Sequence, residues 1–226
     1  AGYVLGNPED MKSVTAAILA GATVRLEAAP GLSPFPGLDP APADGATPFV
    51  TLKVTHARTG GDGQTLVYHP KTLVLGIGCE RGVPAKDVIA HVEAVLSSEG
   101  LAPQALAAIA SIDVKADEAA LHAVARHFDV PARFFTAEEL RAEAHRLKNP
   151  SALVEKEVGT PGVAEAAALA MAGKGGTLLV EKRKSARATC AVAQASAPLT
   201  DLPGQARGIL HVVGLGPGTP EWRAPA

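Results

Sequence analysis

Cysteine is nearly absent: Cys79 and Cys190 are the two in 226 residues, far apart and in no CxxC pair. That excludes a disulfide scaffold and fits a reduced cytoplasm. Aromatic residues make up only 4%, so the core must be packed from small side chains, chiefly on alanine-rich helices. No apolar run approaches the ~18–20 residues that span a bilayer, and no charged-then-apolar leader opens the chain. Neither sign of charge dominates, with a net charge of −2, so nothing overall attracts a nucleic acid backbone. The nucleotide P-loop pattern GxxxxGK[ST] and the GxSxG elbow are missing. The seven histidines include no HxxxH pair, and His122 and His127 fall on different faces of a helix, so no protein-held metal is expected. What is present is a chain that is 47% hydrophobic, enough for one large domain or one domain plus pieces. The expectation is a soluble, cytoplasmic α/β protein without nucleic acid or membrane partners.

Proline and glycine divide the chain. It opens on Ala1 rather than Met and closes on residues 218–226 without a closing element; both ends read as cut from something longer. Residues 8–20 predict a helix, with Asn7 as its cap and Pro8 at its first position. Residues 22–27 predict a short strand, and the Pro/Gly-rich stretch 30–48 can hold neither helix nor central strand. Weak alternation over 51–56 and 64–68, around Gly60-Gly61-Asp62-Gly63, suggests a hairpin. Residues 1–71 are too broken to read as a domain by themselves, and Ile18 and Leu19 would be left seeking cover.

From residue 72 the texture changes. Residues 72–77 are an unbroken apolar strand, followed by a glycine turn and a helix over 84–99. A strand ends at Ile112-Asp113-Val114, a helix spans 117–128 with Leu121, Val124 and Phe128 on one face, and a short strand covers 133–136. Thr136 and Glu139 form a capping box for the next helix. An alanine-rich helix over 161–172 precedes strands 177–182 and 188–193, which are joined by a basic turn. This alternation predicts a layered α-β-α domain with a mixed, partly parallel sheet and an antiparallel hairpin at its end, preceded by a partial α/β front segment. Residues 195–207 read as a linker, and one more strand, 209–213, starts another unit.

Four features carry chemistry. The turns Gly76-Ile77-Gly78-Cys79-Glu80-Arg81-Gly82 and Gly214-Leu215-Gly216-Pro217-Gly218 follow apolar strands, where glycine lets a ligand approach the backbone. Their spacings, GxGxxxG and GxGxG, are not the dinucleotide fingerprint, and no acidic strand end lies about 20 positions beyond Gly82; a Rossmann nucleotide site is disfavoured. Either turn can equally serve backbone geometry alone. Cys79 stands beside a helix start that could favour thiolate, or is simply small enough for the turn. Asp113-Val114-Lys115-Ala116-Asp117-Glu118 sits between strand and helix, a usual place for site residues, although Asp117 and Glu118 could merely cap the helix. Lys182, Arg183, Lys184 and Arg187 crowd one turn, which could hold a polycarboxylate through charge-assisted hydrogen bonds or be solvated.

Taken in order, the blocks 74–82, 112–118, Asn149-Pro150-Ser151, 158–168 and 182–189 resemble the C-terminal domain of the cobalamin-biosynthesis CbiG/CobE family, over residues 72–194. Residues 1–71 resemble the tail of that family's middle region, and 208–226 look like the first strand and loop of a tetrapyrrole methylase, closest to precorrin-3B C17-methyltransferases. The resemblance implies a parent that hydrolyses the ring A lactone of cobalt-precorrin-5A and releases acetaldehyde, fused to a methylase that uses S-adenosylmethionine. Its implied partners are a corrinoid intermediate and the parent's missing N-terminal and methylase domains. The cobalt arrives within the substrate, so the hydrolase domain needs no cofactor. In that setting Glu118 is the candidate general base and Lys115 its carboxylate or oxyanion partner. Gly76, Gly78 and Cys79 form a backbone platform, and Asp117, Glu165, Lys182, Lys184 and Arg187 are candidate substrate-binding residues. The alternative is a CobE-like module that binds a corrinoid intermediate without chemistry, since no complete acid–base–nucleophile set is visible.

Overall fold

A computed structural model describes residues 2–30, 32 and 49–207. The predicted strand at 209–213, the glycine turn at 214–218 and most of the Pro/Gly-rich stretch lie outside the described residues. The described residues form two sheets, both mixed.

The front sheet is built from β1 (Tyr3–Leu5), β2 (Thr23–Ala28), β3 (Phe49–Val54) and β4 (Thr65–Pro70), in the order β1-β4-β3-β2. Helix α1 (Met11–Leu19) packs on it around Val14, Val50 and Leu66. Two expectations change here. The predicted hairpin is a parallel pair, with Thr51 opposite Thr65 and Leu52 opposite Leu66. Alternation marks a half-buried strand whichever way its neighbour runs, so it carries no direction. The chain between them instead drops to the second unit, where Ala57 bridges Leu101, and then returns. Asn7, expected to cap the helix, makes no capping bond and is 1% exposed. Its Nδ2 donates to the Thr65 carbonyl at 2.7 Å and its Oδ1 accepts from the Val67 N–H at 2.7 Å, so it stands in for a missing strand partner.

The second unit contains β5 (Leu73–Cys79), α2 (Ala85–Ser98), β6 (Leu106–Ile112), α3 (Ala119–His127), β7 (Ala132–Phe135), α4 (Ala137–Ala142), α5 (Ala152–Val158), α6 (Val163–Ala172), β8 (Thr177–Lys184) and β9 (Ala188–Gln194). The sheet order is β7-β6-β5-β9-β8, with β5, β6 and β7 parallel and β8–β9 an antiparallel hairpin beside β5. Side chains alternate across β5. Leu73, Leu75 and Ile77 join α2 and α3 in one core, and Val74 joins α4 and α6 in the other. The result is a three-layer α/β/α unit. Thr136 and Glu139 form the expected capping box. Helix α6 is buried nearly all round and rides directly on β5, where a Cβ at Gly76 would lie 1.9 Å from the Ala164 carbonyl oxygen.

The segment expected to be a linker packs along the second unit. The Leu199 N–H donates to Lys71 O at 2.9 Å, Leu199 and Leu202 rest on the core, and Gln205 pairs with Phe134 on edge strand β7.

The two sheets meet at buried histidines. His56 Nε2 lies 2.6 Å from Thr72 Oγ1, and His69 Nδ1 lies 2.8 Å from the Thr55 carbonyl. Burial, with the neighbouring His69 adding to it, pushes His56 down to about 4. Burial also lowers His69, against the hydrogen bond to Thr55. Between the ordinary value of 6.5 and about 4 the unfolded chain binds the proton and the folded chain does not. Stability is therefore complete above that window and falls as the pH descends through it, by about 1.4 kcal/mol per pH unit at the steepest for one group. Urea midpoints measured from pH 7.5 to pH 4.5 should fall steadily, and His56→Gln should flatten the slope. A flat wild-type profile would contradict a neutral buried His56.

Candidate functional site

The parallel strands β5 and β6 end beside the β8–β9 turn, and α5 with the first turn of α6 closes the other side. Between them is a cleft of about 640 Å³. Its floor is Gly78, Cys79 and Ile112; one wall carries Leu153, Val154, Val158 and Val163, and the facing wall carries Lys182, Lys184 and Arg187. Ligands of open α/β sheets bind outside the carboxyl ends of the strands, which is where this cleft lies. The first-turn N–H groups of α6 have no intrahelical acceptor and add partial positive charge at its mouth. A second concavity, about 440 Å³, opens between α3 and β7 around Arg126, Arg133 and Arg207, and none of the motif residues lines it.

Six of the ten candidate residues line the cleft: Gly78, Cys79, Lys115, Lys182, Lys184 and Arg187. Gly78 receives the Thr189 hydroxyl on its carbonyl at 3.3 Å. Cys79 is half-buried, and burial pushes its thiol up against the opposing pull of Lys115. Of the two readings of Cys79 this favours the small residue that fits the turn, since desolvation outweighs the nearby cation. The ammonium groups of Lys115 and Lys184 have no hydrogen-bond partner among the described residues. Arg187 gives its Nε to Glu80 Oε2 at 3.0 Å, leaving its two terminal nitrogens for a ligand. Lys182 donates its Nζ to the Asn149 carbonyl; burial, then Lys184, lowers its affinity for the proton.

The other four candidates lie elsewhere. Gly76 is under α6, held by close packing. Asp117 is exposed and paired with Arg81 at 2.5 Å, a contact that holds its carboxyl low. Glu118 is 6% exposed and opens α3, but it makes no capping bond; its Oε2 accepts from the Gly82 N–H at 3.2 Å. It therefore fixes the glycine turn behind Cys79 instead of facing the cleft. Glu165, 1% exposed, accepts from the backbone of Lys148 at 2.8 Å, Asn149 at 3.0 Å and Lys182 at 2.9 Å, and from Asn149 Nδ2 at 2.9 Å. It ties the rim together.

Sequence reasoning missed the wall formed by α5. Ser151 starts that helix by accepting from the Val154 N–H at 3.5 Å, and Gly159 ends it in the left-handed region at φ 76°. A Ser before an apolar-polar run and a Gly after it were the available signals. Glu157, also on α5, lines the cleft with no ion-pair partner among the described residues. No group of three or more His, Cys, Asp or Glu among the described residues is placed to hold a metal, and no described helix is long and apolar enough to cross a membrane.

The fold and the cleft together define a three-layer α/β domain with a mixed apolar and cationic cleft at its strand ends, the usual place of a ligand site in such sheets. The family described as "Cobalamin synthesis G C-terminus" matches residues 73–193, and the chain belongs to that family. It is 52% identical over 121 residues to Protein CobE of Sinorhizobium sp, covering 54% of this chain and 79% of that protein. It is 31% identical over 153 residues to the cobalt-precorrin-5A hydrolase of Priestia megaterium, covering 66% of this chain and 40% of the hydrolase. The chain thus spans less than half the length of that hydrolase. Among solved structures it is similar to CobE, a protein from the cobalamin (vitamin B12) biosynthetic pathway, with 41% identity and a TM-score of 0.52 over 54% of this chain and 89% of that one. Its family places the chain in cobalamin biosynthesis.

Proposed function

We propose that the cleft binds the ring A lactone of cobalt-precorrin-5A, or a close corrinoid intermediate, and that this chain carries out lactone opening and acetaldehyde release. One observation carries the reading: Lys115, Lys184 and Arg187 converge, with uncommitted nitrogens, on a cleft whose facing wall carries Leu153, Val154, Val158 and Val163. A corrin ring is flat and apolar on its faces and bears carboxylate arms at its edge. Lys184 and Arg187 would hold those arms. Lactone opening adds water to the carbonyl and breaks the ring C–O bond, placing transient negative charge on oxygen, which Lys115 would stabilise. Release of acetaldehyde then breaks a carbon–carbon bond, with the hydroxyl proton leaving and the electron pair passing into the macrocycle. Of the carboxylates that line the cleft, Glu80 is held by Arg187 and Glu157 is not; Glu157, rather than Glu118, would take the proton from water.

Incubation with the lactone intermediate, following acetaldehyde and the tetrapyrrole absorption spectrum together, tests this. The expected result is a spectral shift with acetaldehyde at catalytic yield, and a fall of about 10²–10³-fold in Lys115→Ala, as for loss of an oxyanion donor. A second reading, a CobE-like binding module without chemistry, is favoured by the engagement of Glu118 with Gly82. A spectral shift without acetaldehyde would select it. No shift at all would sink both.

A further inference from the structure

The two walls of the cleft differ in kind, and that difference orients its ligand. Leu153 lies on the lip of the cleft and is 67% exposed, the most exposed large apolar side chain of the second unit among the described residues. Val154, one position on, is partly buried on the same wall, and Val158 ties the helix to the core. The facing wall has the opposite chemistry. The Lys184 ammonium group has no hydrogen-bond partner among the described residues and Arg187 keeps its terminal nitrogens, while the Lys182 ammonium is already spent on Asn149. A small polycarboxylate would use only the cationic wall, and an apolar peptide only α5. A ligand that uses both has a broad apolar face and an anionic edge.

Resting on the corrinoid reading above, we infer that the macrocycle enters with its face against Leu153 and Val154 of α5 and its carboxylate arms toward Lys184 and Arg187 of the β8–β9 turn. Helix α5 is thereby the surface that recognises the ring, and the hairpin is the surface that recognises its state of amidation. Amidated corrins, which keep the face and lose the charge, are discriminated against by the hairpin alone.

The test is an absorbance titration of the whole chain with two probes: cobyrinic acid, whose arms are free carboxylates, and cobinamide, whose arms are amides. Leu153→Ser should weaken both probes by about the same factor, near tenfold for loss of a buried leucine face. Lys184→Gln should weaken cobyrinic acid by a similar factor and leave cobinamide unchanged. Both side chains are exposed, so circular dichroism should show both variants folded. If the wild type binds and Leu153→Ser binds both probes equally well, or if Lys184→Gln weakens both probes alike, the orientation is wrong and the corrinoid reading stands. If the wild type binds neither probe, the corrinoid reading falls and takes the orientation with it.

Discussion

Gly76→Ala is expected to cost about 3 kcal/mol or more of unfolding free energy, at the upper end of what overpacking does to a core. Gly76 sits mid-strand on β5, with β6 on one side and β9 on the other. An added Cβ would come within 1.9 Å of the Ala164 carbonyl oxygen and 2.8 Å of the Ala168 nitrogen. Both are backbone atoms of α6, so no side chain can rotate aside; the helix must lift from the sheet. That helix carries Ala164, Ala166, Ala167 and Ala168, all at most 1% exposed, whose small side chains allow the close approach. Lifting it would loosen the core around Leu169 and Met171 and displace Val163 and Ala164 from the cleft. Gly78→Ala makes the control, because its Cβ would meet a side-chain atom, Thr189 Oγ1, at 2.8 Å, and a hydroxyl can turn away. Urea denaturation of the two variants beside the wild type should rank Gly76→Ala far below Gly78→Ala. Equal midpoints for Gly76→Ala and the wild type would mean that α6 does not ride on β5 at this distance.

The same contact shows what a sequence can and cannot disclose. Strand β5 is legible because its apolar run is bounded by glycine, and the β8–β9 hairpin because a basic turn separates two apolar segments. The turns at 76–82 and 182–187 both reach the cleft, since the end of a parallel strand and the tip of the adjoining hairpin share one rim of the sheet. Whether a glycine there is open to a ligand or crushed under a helix depends on which face of the strand it occupies. Gly76 and Gly78 share a face, and only the reach of α6 separates their roles. Asp117 and Glu118 are neighbours of Lys115 in sequence, but the turn at Asp113–Lys115 sends the lysine to the cleft and the acids toward Arg81 and Gly82. In the front sheet, strand existence was readable from alternation and strand direction was not. Helix α5 was hidden by its shortness: seven residues between Ser151 and Gly159 give too few turns for periodicity to declare itself.

Glu165 is the residue whose role sequence reasoning could least supply, because every group it binds is 16 or 17 positions away. A glutamate in the first turn of a helix reads as a complement to the helix dipole. Here it is the single acceptor for three backbone N–H groups and one amide, joining the 148–149 loop to β8. Asn149 extends the tie by donating to Glu181 at 3.0 Å. Glu165→Ala should therefore cost about 3–5 kcal/mol, the range for removing one side of a buried, hydrogen-bonded charge. It should also weaken carboxylate binding, since Lys182 and its neighbour Lys184 hang from the same strand. Acid supplies an independent check. Burial alone would raise the carboxyl of Glu165, but the N–H groups of Lys182, Asn149 and Lys148 and the Asn149 amide together outweigh it and hold it below its ordinary 4.5. A group depressed in this way stabilises the fold above that value and loses its contribution as the pH falls through the folded value. Urea midpoints of wild type and Glu165→Ala should then differ widely at pH 7 and converge below pH 4.5. The acid response of His56 and His69 is common to both proteins and cancels in the difference. A gap that stays constant with pH would show that what the alanine removes is volume, and that the carboxylate is not what holds the rim of the cleft.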